Sequence, residues 1–98
     1  MLQISVRFFT SLREIIGKRE ETLQFPEGNR VTVDAVLKAL TQRYGKRFVE
    51  YVFDEKTGEV NGFLQFLVNG ESAPTMDVLQ TELDDGDVLA ILPPVGGG

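Results

Sequence analysis

Thr32-Val33-Asp34-Ala35-Val36-Leu37-Lys38-Ala39-Leu40-Thr41-Gln42-Arg43-Tyr44-Gly45 is the stretch of this 98-residue chain on which the fold turns. Val33, Val36, Leu37, Leu40 and Tyr44 recur at helical spacing and predict one amphipathic helix. Thr32 is placed to cap it, Asp34 sits at the positive end of its dipole, and Gly45 offers a left-handed stop. On both sides the period falls to two. Upstream, residues 2–9 set Leu2, Ile4, Val6 and Phe8 on one face of a half-buried strand, with Gln3, Ser5 and Arg7 on the other. Phe9 puts an aromatic ring on that polar face. Ser11–Ile16 reads as one helical turn, Ser11 its cap and Gly17 its stop. Glu21–Phe25 reads as a second strand, and Pro26-Glu27-Gly28-Asn29 turns the chain.

Downstream, Phe48, Tyr51 and Val52 continue a short helical turn before an exposed loop at Asp54–Glu59. Leu64–Val68 forms a third strand, with Leu64, Phe66 and Val68 on one face and Leu67 on the other. Asn69-Gly70 is a turn signal after such a run. A linker at Pro74–Thr81 and a turn at Asp84-Asp85-Gly86-Asp87 lead into a last, wholly apolar strand, Val88–Leu92. Strands in two halves around one crossing helix predict an α+β domain, a β-grasp (ubiquitin-like) roll with a mixed sheet of four to five strands over residues 1–92.

Composition narrows what such a domain can do. Ten Lys and Arg against fifteen Asp and Glu leave a net charge of −5, so nucleic acid, whose affinity rests on cations meeting phosphates, is not an expected partner. The chain has no Cys, His or Trp. Thiol chemistry, thiolate metal sites and imidazole bases are therefore excluded, and no self-contained active site is expected. Asp84, Asp85 and Asp87 lack the spacing of a cation loop, so no metal is expected. Tyr44 and Tyr51 read as core or rim packing, and Glu20-Glu21 and Asp54-Glu55 as solvated surface. No leader pattern and no apolar run of roughly 20 residues is present, which predicts a cytoplasmic protein with no membrane partner.

Residues 93–98, Pro93-Pro94-Val95-Gly96-Gly97-Gly98, follow the last strand directly. Two prolines stop strand pairing and stiffen the exit, and three glycines end it without side chains. Six residues reach at most about 20 Å. A frayed end or a linker scar also has glycines, but neither would normally begin with Pro-Pro joined to a core strand. The pattern reads as a slim probe whose terminal carboxyl enters a narrow channel in a partner.

With that tail the chain resembles the MoaD-type ubiquitin-like sulfur carriers, the small subunits of molybdopterin synthase. The likeness rests on Phe8-Phe9, on Ser11-Leu12-Arg13-Glu14-Ile15-Ile16-Gly17, on Val31-Thr32-Val33 before the helix, and on Phe66-Leu67-Val68-Asn69-Gly70. Its most specific part runs from Leu83-Asp84-Asp85-Gly86-Asp87 through Val88–Leu92 to Pro93-Pro94-Val95 and the terminal diglycine. The longer segment 46–63 is similar to that of archaeal small ubiquitin-like modifiers. The resemblance implies that Gly98 is adenylated by a ubiquitin-activating-type (MoeB-like) enzyme using ATP and then carries sulfur as a thiocarboxylate, with Gly97 giving clearance and no cofactor bound permanently. It implies docking on a large synthase subunit (MoaE-like), which passes the sulfur to a pterin precursor. Conjugation of Gly98 to target lysines, or sulfur delivery to tRNA, uses the same activation. Gly96 stands where many relatives have Ser, Thr or Ala.

The docking surface is argued from alternation. If Leu89 and Ile91 point inward, Val88, Ala90 and Leu92 point outward. Phe9, Leu67 and Leu92 would then form an exposed apolar patch beside Pro93, Pro94 and Val95. Ser72 departs from relatives that carry a large apolar residue just after the Asn-Gly turn.

Overall fold

The computed structural model describes residues 1–28, 30–73 and 78–92. Its elements are β1 (Leu2–Phe8), α1 (Thr10–Ile16), β2 (Glu20–Phe25), α2 (Val33–Tyr44), α3 (Lys46–Val52), β3 (Gln65–Val68), β4 (Glu71–Ser72) and β5 (Val88–Leu92), with a 3₁₀ turn at Val78–Gln80 before β5. The strands form one mixed sheet in the order β2-β1-β5-β3-β4. β1 pairs antiparallel with β2 and parallel with β5, and β3 pairs antiparallel with β5 and β4. This is the β-grasp arrangement, with the last strand in the middle of the sheet.

The long helix forms as its spacing requires. The Thr32 hydroxyl accepts from the Ala35 N–H at 3.3 Å, satisfying one of the unpaired donors of the first turn. Gly45 ends the helix with φ of 76°, a backbone that favours glycine, and its N–H reaches the Thr41 carbonyl at 2.8 Å. Val33, Val36, Leu37 and Leu40 are fully buried against the sheet. Each such side chain contributes about 1.5–3 kcal/mol by leaving water, so truncating Leu37 to Ala costs roughly 2–5 kcal/mol. Ile4, Val6, Phe8, Leu89 and Ile91 form the opposing layer.

Several local expectations change. Ser11 does not cap α1: Phe9 is extended (φ −126°, ψ 149°) and Thr10 already turns with φ of 43°, so Ser11 lies inside the helix. Gly17 does stop it, left-handed at φ 83°. The segment after Gly45 is a seven-residue helix with Phe48 and Val52 buried, and the linker before β5 contains a 3₁₀ turn. β3 begins at Gln65 rather than Leu64, and β2 at Glu20 rather than Glu21.

Glu21 is the largest correction. It stands opposite Val6, an inward position, and its side chain is only 11% exposed. The Tyr44 hydroxyl donates to its carboxylate, with Arg43 at 3.1 Å and Lys18 at 3.3 Å. The Tyr44 hydrogen bond, against the opposing cost of burial, holds the Glu21 carboxyl down at about 2. Burial first, and then the same bond, push Tyr44 up to about 12. Tyr44 also meets Phe8 edge to face, with centroids 6.3 Å apart, so it packs at the rim as expected. Glu20 is exposed, 3.6 Å from Arg7.

Candidate functional site

The candidate site is the outer face of the sheet where β5 ends. β5 alternates: Leu89 and Ile91 are buried, while Val88, Ala90 and Leu92 are half-buried. Alternation therefore turns Val88, Ala90 and Leu92 outward. The ladder sets Leu67 opposite Ala90, and Ala90 opposite Arg7. One step on, Phe8 lies opposite Ile91; because Phe9 stays extended, it falls beside Leu92 on the outer face. Phe66 on β3 is buried and Val68 packs against the core, so Leu67 takes the other face.

Phe9, Leu67 and Leu92 thus share one face, in two adjacent rows at the end of the sheet. They are half-buried rather than fully exposed, because each is flanked by strand neighbours. Among the described residues the large hydrophobics most open to solvent are Met1 and Phe63, the latter edge to face with Tyr51. Ala90 and Val88 extend the apolar stripe along β5, and only the inward orientation of Leu89 and Ile91 assigns them to it. Ser72 stands opposite Leu67, and its hydroxyl accepts from the Gln65 amide at 3.3 Å. The stripe therefore ends at a small polar residue. Pro93, Pro94, Val95, Gly96, Gly97 and Gly98 lie outside the described residues; β5 delivers the chain to them from the centre of the sheet.

The opposite end of β5 is tied down by its acidic turn. Asp85 accepts from the Gln3 N–H at 2.8 Å, and Asp87 accepts from the Asp84 N–H at 2.8 Å and from the Asn69 amide at 2.9 Å. The Asn69 oxygen in turn accepts from the Val88 N–H at 2.9 Å. These carboxylates satisfy backbone donors that the turn would otherwise leave unpaired, and so fix where β5 starts. Anchoring the start of the strand holds Leu92, at its finish, in register.

The central strand is thus clamped at its start and bordered by an apolar stripe at its finish. The model of the ThiS family matches residues 6–98, a span that takes in both the strand and the tail. The chain belongs to the ThiS family. ThiS-family proteins of this kind are ubiquitin-like sulfur carriers and modifiers. Small archaeal modifier protein 3 of Haloferax volcanii is 32% identical over 97 residues, 99% of this chain and 100% of that protein. Small archaeal modifier protein 1 of Methanosarcina acetivorans is similar in structure, with a TM-score of 0.75 at 36% identity over 100% of this chain and 98% of the other. A Pyrococcus furiosus structure described provisionally as molybdopterin converting factor, subunit 1, gives a TM-score of 0.72 at 30% identity, over 97% and 100% of the two chains. Among the described residues no helix is long and apolar enough to cross a membrane.

Proposed function

We propose that this protein carries sulfur on its last residue and donates it as the small subunit of a molybdopterin synthase. The Gly98 carboxylate attacks the α-phosphorus of ATP in a MoeB-like activating enzyme, and pyrophosphate leaves. A persulfide sulfur displaces AMP from the acyl-adenylate, and a second thiol, also from a partner, cleaves the sulfur–sulfur bond to free the thiocarboxylate. Activation is needed because a carboxylate is a poor electrophile. This chain has no Cys or His, so catalytic thiols and bases come from the partners. Gly97 keeps the path to the carboxyl narrow. The loaded tail then enters a MoaE-like large subunit, where the sulfur goes to a pterin precursor to make the dithiolene.

The observation that carries this reading is the outer stripe of Phe9, Leu67 and Leu92 at the point where the central strand meets the tail. An apolar face next to an insertable terminus is what a subunit needs to dock and deliver at once. Likeness to the Pyrococcus furiosus protein supports the synthase role. A second reading, conjugation of Gly98 to target lysines, is favoured by likeness to the Haloferax volcanii modifier over nearly the whole chain. Intact mass spectrometry of protein taken gently from its own cells tests both. A mass raised by exchange of one oxygen for sulfur supports the carrier. Chains joined through Gly98 to other proteins, with no thiocarboxylate in any fraction, favour the modifier instead.

A further inference from the structure

We propose that the end of the domain from which the tail departs is a basic docking surface for the acidic rim of the enzyme that adenylates Gly98. This rests on the carrier reading above and names the chemistry of its partner. Because β1 and β5 run parallel with Phe8 opposite Ile91, the end of the sheet that holds Leu92 also holds the β1–α1 corner. The Phe8 N–H donates to the Arg19 carbonyl at 2.9 Å, which brings Lys18 and Arg19 there. The Tyr44 ring against Phe8 brings the α2–α3 corner, with Arg43, Lys46 and Arg47. α1 packs against α3 and adds Arg13. All six cations are exposed.

Lys18 and Arg43 are committed to Glu21. Arg13, Arg19, Lys46 and Arg47 have no ion pair among the described residues. Residues 7–21 and 43–50 together hold seven of the ten basic residues but only four of the fifteen acidic ones. At the far end of β5 stand Asp84, Asp85 and Asp87. Within a chain of net charge −5, the β1–α1 and α2–α3 corners therefore form a positive pole and the turn at Asp84–Asp87 a negative one, while Asp54, Glu55 and Glu59 lie on the segment that enters β3 at Gln65, opposite Leu92, and border the positive pole on that side. Such a dipole turns an approaching chain tail-first toward an acidic surface and raises the rate of productive encounter. Four cations without an ion pair among the described residues, on an acidic chain, neutralise too few phosphates to hold RNA at ordinary salt, so an acidic protein rim is the occupant.

The test measures ATP–pyrophosphate exchange by the activating enzyme of the same organism, driven by the full chain. Arg13→Glu, Arg19→Glu, Lys46→Glu and Arg47→Glu are combined in one variant; Glu71→Lys with Asp84→Lys makes the far-end control. The basic-end variant should raise the carrier KM about tenfold or more with kcat unchanged. The far-end control should stay within about twofold, and added salt should raise the wild-type KM while leaving the variant flat. If the reversal variant loses cooperative unfolding, Arg13→Gln with Arg47→Gln replaces it, and a KM and salt dependence equal to wild type overturns the proposal. Unchanged KM together with a wild-type gel shift of bulk tRNA that the variant loses overturns it in favour of nucleic acid. Wild-type chain that supports no exchange and carries no sulfur in cells removes the carrier reading itself. Exchange at equal KM for both chains removes only the docking surface.

Discussion

The outer face of the sheet has two halves that obey the same alternation and end up chemically opposite. On the β2–β1 side it shows Gln24, Thr22 and Glu20 beside Gln3, Ser5 and Arg7, all suited to water. On the β5–β3 side it shows Val88, Ala90, Leu92 and Leu67, with the polar Gln65 opposite Leu92, and Phe9 extends β1 on Leu92's other side. Both halves cover the same core through the same kind of ladder, so folding alone does not require the second to be apolar. An apolar half that the core does not need is what a partner surface looks like. It lies along the strand that leads into the tail, whereas the polar half leads back into α1 and β2.

The largest effect expected of any change comes at the far end of that strand. Deleting Gly98, or adding a residue after it, should abolish sulfur transfer while circular dichroism and Tm stay unchanged. An extended chain that stays fully active without being trimmed would sink the mechanism. Next come the two halves themselves. Leu92→Asp or Phe9→Asp should weaken docking on the large subunit by about 2 kcal/mol, roughly thirtyfold in Kd, because a charge must be desolvated in an apolar contact. Thr22→Glu, on the polar half, should change the same Kd by no more than about 0.5 kcal/mol. Calorimetric titration compares all three, and equal losses on both halves would erase the distinction drawn between them.

Glu21 sharpens the comparison from inside, as a carboxylate on the face where its neighbours Leu23 and Phe25 are apolar. Glu21→Gln should cost about 1–2 kcal/mol, roughly 5–10 °C in Tm, through loss of a charged acceptor for Tyr44. Arg43 and Lys18 are about half exposed, at 50% and 56%, so water screens their share. The acid limb has a definite sign. A folded pKa of about 2 lies below the ordinary 4.5, so this stabilisation is full above pH 4.5 and fades as pH falls toward 2. Melting curves of wild type and Glu21→Gln should therefore converge between those values, and a constant gap down to pH 2 would assign the effect to packing. The smallest effect is expected at Gly96→Ala, which should keep sulfur transfer within about twofold in single-turnover assays; a loss of more than about tenfold would mean that the whole triglycine needs glycine's clearance.

Much of this was legible in the chain order of residue types. The spacing from Val33 to Tyr44, the Thr32 cap and the alternation of Leu2 to Phe8 are local patterns, each set by one element's own period. The Pro-Pro-Val-Gly-Gly-Gly ending was equally plain, and it led to the family before any strand was paired. Local chemistry misled where a neighbour in space took over. Ser11 looks like a cap until Thr10 turns the chain one residue earlier. Glu21 looks solvated until Tyr44 and Arg43, distant in sequence, close over it. β4 is too short, at two residues, to show a period of its own.

By itself the sequence determined four of the five strand segments, where the long helix starts and stops, and the run of prolines and glycines that follows the last strand. Only the tertiary structure decided that β5 lies between β1 and β3, that Phe9 and Leu92 are therefore neighbours, and that six scattered cations gather where the tail leaves. The reason is physical. Periodicity is written within a strand, whereas strand order and the meeting of distant charges are settled by which pairings bury the shared core best, and those contacts join residues as far apart as Phe8 and Ile91.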